Sequence, residues 1–241
     1  MSSSEDDFDE SDAFPEDYRL KGYRIVVPQE EGIVGLRPDS LHSSGGELAG
    51  NIKEAICPNC GTPLFPVFKL NFAADARLQS LNLWEGDFLQ LLRCFVCFLE
   101  HYVYWTYFKE DSVEIIGGCR SEPPHILPGV QLPYLCRPIQ LTELTECDYP
   151  SSEKLLAALD QKRPLHQIGG LPFRGKYMFV SPNCAKCDQP MQFAGVIDDE
   201  DYNVYCYDSE GFYCTLIIGD LDSLYFYTCK ACMGIAFKFI Y

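Results

Sequence analysis

The amino-acid sequence predicts an α+β fold that is mainly antiparallel β and is built from two similar lobes. The 241-residue chain holds 16 Phe and 15 Tyr, residue types that favour pleated strands over a helical bundle. Short β-prone runs recur between turn-forming residues, whereas the clearest helical pattern is confined to one segment. Two stretches of the chain also share the same spaced residues, which indicates an internal duplication.

The duplicated pattern consists of two Cys-x-x-Cys pairs on either side of a β-rich insert. The pairs are Cys57/Cys60 with Cys94/Cys97 in the first copy, and Cys184/Cys187 with Cys229/Cys232 in the second. The offset that maps Cys57 onto Cys184 also maps Pro63 onto Pro190, and a Gly-Asp dipeptide precedes both closing pairs. The lead-in segments 33–38 and 168–172 are also similar, so we assign them to the beginnings of the two copies.

Cysteine pairs at this spacing are typical of structural zinc sites. A single Cys-x-x-Cys pair is also compatible with a redox motif, but two matched pairs supply four tetrahedral thiolate ligands. We therefore predict two zinc sites, with ligands Cys57, Cys60, Cys94 and Cys97 in one and Cys184, Cys187, Cys229 and Cys232 in the other. Closure within each copy needs the shorter loops, although closure across the copies stays open. The other five cysteines are predicted to be buried small hydrophobic residues: Cys119, Cys136, Cys147, Cys206 and Cys214.

The chain divides into four predicted parts. Residues 1–17 form a disordered acidic tail, because eight carboxylates and no base leave too little apolar surface to offset the entropy of ordering. Residues 18–116 form the first zinc-binding repeat, and residues 117–165 form a Pro-rich connector with a helix. Residues 166–241 form the second zinc-binding repeat.

Strands account for most of the first repeat. The predicted strands are 23–27, 64–72, 88–93, 101–108 and 112–116. Pro66 lacks a backbone N–H, so it predicts a bulge or an edge position in its strand. We expect 88–93 and 101–108 to form a hairpin with Cys94 and Cys97 at its tip, and 75–83 to be a loop or one helical turn.

The predicted helix spans 153–160, where a serine cap, an early acid and three leucines at helical spacing occur together. Pro164 ends it. The second repeat then begins at His166, and Gly169-Gly170 predicts a tight turn that needs backbone freedom. Its predicted strands are 191–197, 213–218, 224–228 and 235–240.

The charge of the chain predicts its partners. The formal net charge is −16, with 35 acidic residues against 19 Lys and Arg, so the chain repels phosphate backbones and attracts basic proteins. We predict a basic protein partner and neither nucleic acid nor membrane binding; the oligomeric state stays open. The N-terminus lacks a signal peptide pattern, and cysteine usage of this kind fits a reducing compartment, so we expect a cytoplasmic protein.

The motifs resemble those of two known families. The run 168–172, Cys184-x-x-Cys187 followed by Pro190-Met191, and Leu224-Tyr225-Phe226-Tyr227 before the closing cysteines are similar to YwqG-like domains of mainly bacterial proteins. They also resemble the zinc-knuckle region of the programmed cell death protein 2 family. The resemblance is good over 166–241 and looser over 33–108. It implies a mixed α+β fold with two pseudo-symmetric halves, and either an immunity or accessory role or an escort of a basic ribosomal protein.

Three functions are compatible with these features. A non-catalytic, zinc-stabilised binding module fits best, since a closed four-thiolate site has no open position for substrate. A hydrolase-type enzyme with a site near His166 is the alternative, although no nucleophile motif accompanies that histidine. A nucleic-acid-binding zinc ribbon is a further alternative, and the absence of a basic run in the sequence argues against it.

Overall fold

The computed structural model describes residues 21–27, 41–58, 60–94, 104–117, 136–144, 166–170, 181–197, 201–207, 213–216 and 223–240. Within these ranges the chain forms fourteen β-strands and one five-residue helix. The fold is mostly antiparallel β with very little helix, as predicted. The elements are β1 (Gly22–Val26), β2 (His42–Ser44), β3 (Phe65–Asn71), α1 (Ala76–Ser80), β4 (Phe88–Arg93), β5 (Tyr104–Phe108), β6 (Val113–Gly117), β7 (Arg137–Pro138), β8 (Gln140–Glu143), β9 (His166–Gly169), β10 (Gln192–Ile197), β11 (Asp201–Tyr207), β12 (Tyr213–Leu216), β13 (Ser223–Cys229) and β14 (Gly234–Ile240).

Two antiparallel sheets contain most of these strands. Eight of the described strands form the large sheet, in the order β6-β5-β14-β13-β10-β9-β1-β8. Four others form the small sheet, in the order β4-β3-β2-β7. The large sheet therefore contains strands from both predicted repeats. Strands β11 and β12 pair separately, with Cys206 opposite Cys214.

One hydrophobic core lies between the two sheets. Phe68, Leu70 and Leu89 of the small sheet belong to the same buried cluster as Ile168, Phe226 and Phe237 of the large sheet. Side chains alternate along each strand, so Phe226 enters this core while its neighbours Tyr225 and Tyr227 pack on the other face, beside Cys184 and Cys229. The large sheet is thus covered by the core on one face and carries cysteines on the other.

The predicted hairpin between 88–93 and 101–108 is wrong. Both segments contain a strand, but β4 pairs with β3 in the small sheet, whereas β5 pairs with β14 and β6 in the large sheet. Strand β14 presents Gly234 and Ala236 opposite Tyr107 and Trp105, and small residues leave room for aromatic rings across a strand pair. A strand pattern identifies β5 but does not reveal this partner, which lies far away in sequence.

Several local predictions agree with the structure. The register of β3 shifts between Pro66 and Phe68, which is the predicted bulge. Asp75 caps the single turn of α1 by accepting a hydrogen bond from the backbone N–H of Arg77. Gly169 and Gly170 have φ values of 70° and 73°, as the predicted turn requires. The predicted helix at 153–160 and the tail at 1–17 lie outside the described residues.

Candidate metal centre

The first knuckle is a tight turn closed by two backbone hydrogen bonds. The N–H of Cys57 donates to the carbonyl of Thr62 at 2.9 Å, and the N–H of Gly61 donates back to the carbonyl of Cys57 at 2.9 Å. Gly61 has a φ of 71°, a left-handed conformation that glycine adopts without strain. This turn brings Cys57 and Cys60 to the same side of the chain.

The second knuckle repeats the same turn. The N–H of Cys184 donates to the carbonyl of Gln189 at 2.9 Å, and the N–H of Asp188 donates to the carbonyl of Cys184 at 2.8 Å. Asp188 takes the left-handed position with a φ of 57°, which Asp tolerates better than most residues. An isolated β-bridge closes each turn, between Ile56 and Pro63 and between Asn183 and Pro190.

The second cysteine cluster consists of Cys184, Cys187, Cys229 and Cys232. All four sulfur atoms lie within 4.8 Å of one another, and those of Cys187 and Cys229 are 3.7 Å apart. A tetrahedron with metal–sulfur bonds of about 2.3 Å has edges of about 3.8 Å, whereas a disulfide needs about 2.05 Å. The four thiols are free of disulfides, and their arrangement fits one tetrahedral ion.

The first cysteine cluster consists of Cys57, Cys60 and Cys94. Their sulfurs also lie within 4.8 Å of one another, with 3.5 Å between Cys60 and Cys94. The hydroxyl of Thr62 lies 2.8 Å from the Cys60 sulfur and 3.6 Å from that of Cys94. The fourth predicted ligand, Cys97, lies outside the described residues. Both clusters therefore combine an opening knuckle with cysteines of the matching closing pair, so closure occurs within each predicted copy.

The cysteines of the second cluster differ in their pKa values. Burial by itself would raise the pKa of Cys184, but hydrogen bonds from Tyr107 and from the backbone of Cys187 and Lys186 lower it to about 6. Burial raises the pKa of Cys229 to about 12, and hydrogen bonds to Cys184 and Cys187 act in the same direction. Cys184 therefore ionises more readily than Cys229, whose thiol is held in the neutral form chiefly by burial. Adjacent thiolates repel one another, and a divalent cation among the sulfurs removes that repulsion.

Residues of β5 and β6 contact the second knuckle. The Tyr107 hydroxyl lies 3.3 Å from the Cys184 sulfur, and the indole N–H of Trp105 donates to the carbonyl of Asn183 at 3.0 Å. The ammonium of Lys186 lies 4.1 Å from the centre of the Tyr107 ring and 2.9 Å from a Glu114 oxygen. Sequence reasoning missed Tyr107, because nothing in the spacing of the cysteines points to a strand of the first predicted repeat (18–116), which is the first half of the chain.

The two histidines in the described ranges are buried, and each contacts side chains or backbone inside the fold. His166 has an exposed fraction of 0 %, and its ring meets the Phe68 ring edge-on at 4.9 Å between centroids. His42 lies 2.9 Å from Asp75 through Nε2, and its Nδ1 accepts a hydrogen bond from the Asn71 backbone N–H at 3.1 Å. The prediction of a site near His166 thus falls on a residue that packs inside the core.

The two histidines occupy matching register positions. His42 pairs with Leu70 and His166 pairs with Ile197, positions that the offset between the two knuckles also relates. Each histidine begins a short strand that leads into two consecutive glycines with positive φ, Gly45-Gly46 and Gly169-Gly170. The lead-in segment of the first copy was predicted at 33–38, which lie outside the described residues. The strand register instead matches residues 42–46 to the lead-in of the second copy. The shared spacing His-x-x-Gly-Gly was the signal in the sequence.

Cys136 contacts a buried lysine. It is buried, as predicted, and its sulfur lies 3.8 Å from the Lys69 ammonium. The Lys69 ammonium also donates to the carbonyl of Glu47 at 2.8 Å, and burial lowers the pKa of this lysine. Cys136 is therefore a packed residue away from both cysteine clusters.

Comparisons with known proteins give no match to a family model, a curated protein or a solved structure. Within the described ranges, no helix is long and apolar enough to cross a membrane.

Proposed function

We propose that this protein is a non-catalytic binding module, stabilised by two structural four-cysteine zinc sites, that uses an acidic surface to bind a basic protein. The proposal depends most on the second cysteine cluster, where four sulfurs lie within 4.8 Å of one another. Four thiolates complete the coordination of zinc, so no position is left for water or substrate. Cys97 is the proposed fourth ligand of the first site, since it completes the closing pair.

We also infer that the two halves are copies of one unit, related to the YwqG-like and programmed cell death protein 2 families. Both opening knuckles have the same hydrogen bonds, and the strand after each knuckle has a register shift at the same distance from it. These shifts fall between Pro66 and Phe68 and between Phe193 and Gly195. Bulges are retained within families, so matching bulges support a common origin of the halves.

The charge of the chain supports a basic partner. Four thiolates and one Zn²⁺ carry a net charge of about −2, so two such sites add to the net charge of −16. An acidic protein attracts basic surfaces and repels phosphate backbones, which disfavours the nucleic-acid alternative. Zinc-bound thiolates also suit a reducing compartment, and we propose a cytoplasmic location on that ground.

Metal analysis of the purified protein tests the zinc sites. We expect two zinc ions per chain by plasma mass spectrometry, and loss of both with a strong chelator. Apparent zinc-binding free energies of about 10–16 kcal/mol are comparable with the whole stability of a domain, so the chelator should unfold the protein. Zero or one ion per chain would contradict the proposal of two sites.

Capture of partners at two salt concentrations tests the acidic surface. Tagged protein is incubated with cell lysate at about 50 mM and about 500 mM salt, and bound proteins are identified by mass spectrometry. We expect a partner with a high isoelectric point that is lost at high salt. A variant that lacks residues 1–17 is the matched control, because it separates the acidic tail from the folded surface. A partner that stays bound at high salt would contradict the electrostatic mechanism.

A further inference from the structure

The second cysteine cluster contacts a strand from the other half of the chain. Its cysteines lie in the second knuckle and at the β13–β14 turn, whereas β5 and β6 belong to the first half and lie before the whole connector in sequence. Strand β5 pairs along β14, and Tyr107 lies directly opposite Gly234. A Cβ atom at position 234 would lie 2.5 Å from the Tyr107 ring, so glycine there leaves the space that the ring occupies.

Contacts on both sides fix the position of the Tyr107 ring. Gly234 lies beneath it, and the Lys186 ammonium lies 4.1 Å from the ring centre. Glu114 on β6 holds that ammonium through a 2.9 Å ion pair. With the ring fixed in this way, the buried hydroxyl lies 3.3 Å from the Cys184 sulfur.

The first cysteine cluster has a hydroxyl of its own. Thr62 belongs to the first knuckle and lies 2.8 Å from the Cys60 sulfur. The offset between the knuckles places Gln189 at the matching position, and its side chain is exposed and carries no hydroxyl. The hydroxyl beside the second cluster is therefore supplied by a different element, β5.

We infer that Tyr107 is a positioning residue of the second metal centre, whose hydroxyl donates a hydrogen bond to the Cys184 thiolate. The inference rests on the proposed zinc site. Such a bond orients the sulfur towards the ion, which slows loss of the metal to a competing chelator. It also withdraws part of the negative charge of the sulfur, which makes the sulfur less reactive towards electrophiles. Metal retention in the second half of the chain then depends on a strand from the first half.

Zinc release from the Tyr107→Phe variant tests this role in the full-length protein. A chromogenic chelator follows the rate of release, and brief alkylation with peptide mass spectrometry reports each cluster separately. We expect release and alkylation at Cys184 and Cys187 to be faster by about tenfold, with Cys57 and Cys60 unchanged. Thr62→Val is the mirror variant, and it should accelerate alkylation of Cys57 and Cys60 only.

Two further variants complete the design. Tyr104→Phe removes a different buried hydroxyl from β5. That hydroxyl lies 3.4 Å from the carbonyl of Leu92, so its loss should leave the second cluster unchanged. Lys186→Met alters an exposed side chain and frees the Tyr107 ring, so it should accelerate release by a smaller factor even if Tyr107→Phe does not fold.

The outcomes separate the two proposals. Protein that is purified without zinc would overturn the proposed function and this inference together. Two bound zinc ions, with release from Tyr107→Phe and Lys186→Met within about twofold of the parent protein, would overturn the inference alone. Equal acceleration at both clusters would also overturn it, because that result indicates general loosening.

Discussion

Cys232 and Cys136 are both free thiols, but their neighbours give them different roles. Cys232 lies within 4.8 Å of three other sulfurs, whereas Cys136 lies beside the ammonium of Lys69. The grouping of the described cysteines into two clusters was predictable from the sequence, because each knuckle has a fixed spacing. The contacts of His42 and Tyr107 were not, since their partners Asp75 and Cys184 are 33 and 77 residues away along the chain.

Replacement of a ligand should therefore differ from replacement of a packed cysteine. We expect Cys232→Ser to bind one zinc ion fewer and to lose at least about 3 kcal/mol of unfolding free energy, because zinc binding is worth about 10–16 kcal/mol. Cys136→Ser is the control, with unchanged zinc content and a loss of about 1–2 kcal/mol. Metal analysis and urea unfolding check both. Equal zinc content in the two variants would contradict the ligand assignment.

His42 should make stability fall in acid. Burial lowers its pKa, although the hydrogen bond to Asp75 opposes this effect, so the folded state binds the proton less readily than the unfolded state. The stabilising contribution is complete above the ordinary pKa of about 6.5 and is lost as the pH falls below it. The Arg77 side chain also holds the pKa of Asp75 well below its usual range, so Asp75 acts in the same direction at lower pH.

The His42→Gln variant isolates the histidine contribution. Glutamine keeps a donor towards Asp75 but does not titrate. Between about pH 7.5 and about pH 5.5 we expect the melting temperature of this variant to fall less than that of the parent protein. Scanning fluorimetry at matched ionic strength measures the difference. Identical falls would show that His42 does not contribute to the acid sensitivity.

The turns set the position of each cysteine pair and each short strand. Gly61 and Gly169 both have positive φ, but their surroundings differ. A Cβ atom at Gly61 would meet nothing within 4 Å, whereas at Gly169 it would lie 2.7 Å from the carbonyl oxygen of Lys21. The sequence predicted the turn at Gly169 from its glycine pair, but not the close approach of β1, which depends on sheet order.

Alanine at these two glycines should separate backbone strain from crowding. We expect Gly61→Ala to cost about 1–2 kcal/mol, which is the strain of a left-handed residue. Gly169→Ala adds a backbone clash, and we expect a total loss of about 3 kcal/mol or more. Chemical denaturation with both variants checks the order. A larger loss at Gly61 would show that crowding by the Lys21 carbonyl adds no cost at Gly169.

Strand positions were easier to predict than strand partners. The segment 88–93 was predicted with its observed bounds, because its apolar run ends at a cysteine knuckle. Its predicted partner was wrong. Strands β2, β7, β8 and β9 were missed or only partly recognised, since strands of two to four residues are too short to show a period. The seven-residue β11 was missed as well. Pairing depends on which sheet offers a complementary surface, as Gly234 does for Tyr107.

The two halves are physically connected through the large sheet. Strands β5 and β6 of the first half extend the sheet that β9, β10, β13 and β14 of the second half form. Side chains of both sheets also share one core, in which Phe68 of the first half touches His166 of the second. Neither half therefore buries its own apolar surface without the other. The duplicated sequence pattern alone does not reveal that strands of the first half join the sheet of the second half.

The whole described structure should consequently unfold in one step, although it is proposed to hold two zinc ions. The two tryptophans report different places: Trp84 contacts Phe108 in the core, and Trp105 donates to the second knuckle. In Trp84→Phe and Trp105→Phe variants, the fluorescence of the remaining tryptophan should give coincident urea transitions. A chelator should move both transitions to lower urea together, because metal loss at one cluster weakens the core that both halves share. Two separated transitions would instead show that each half unfolds by itself, and would contradict the coupling through β5 and β14.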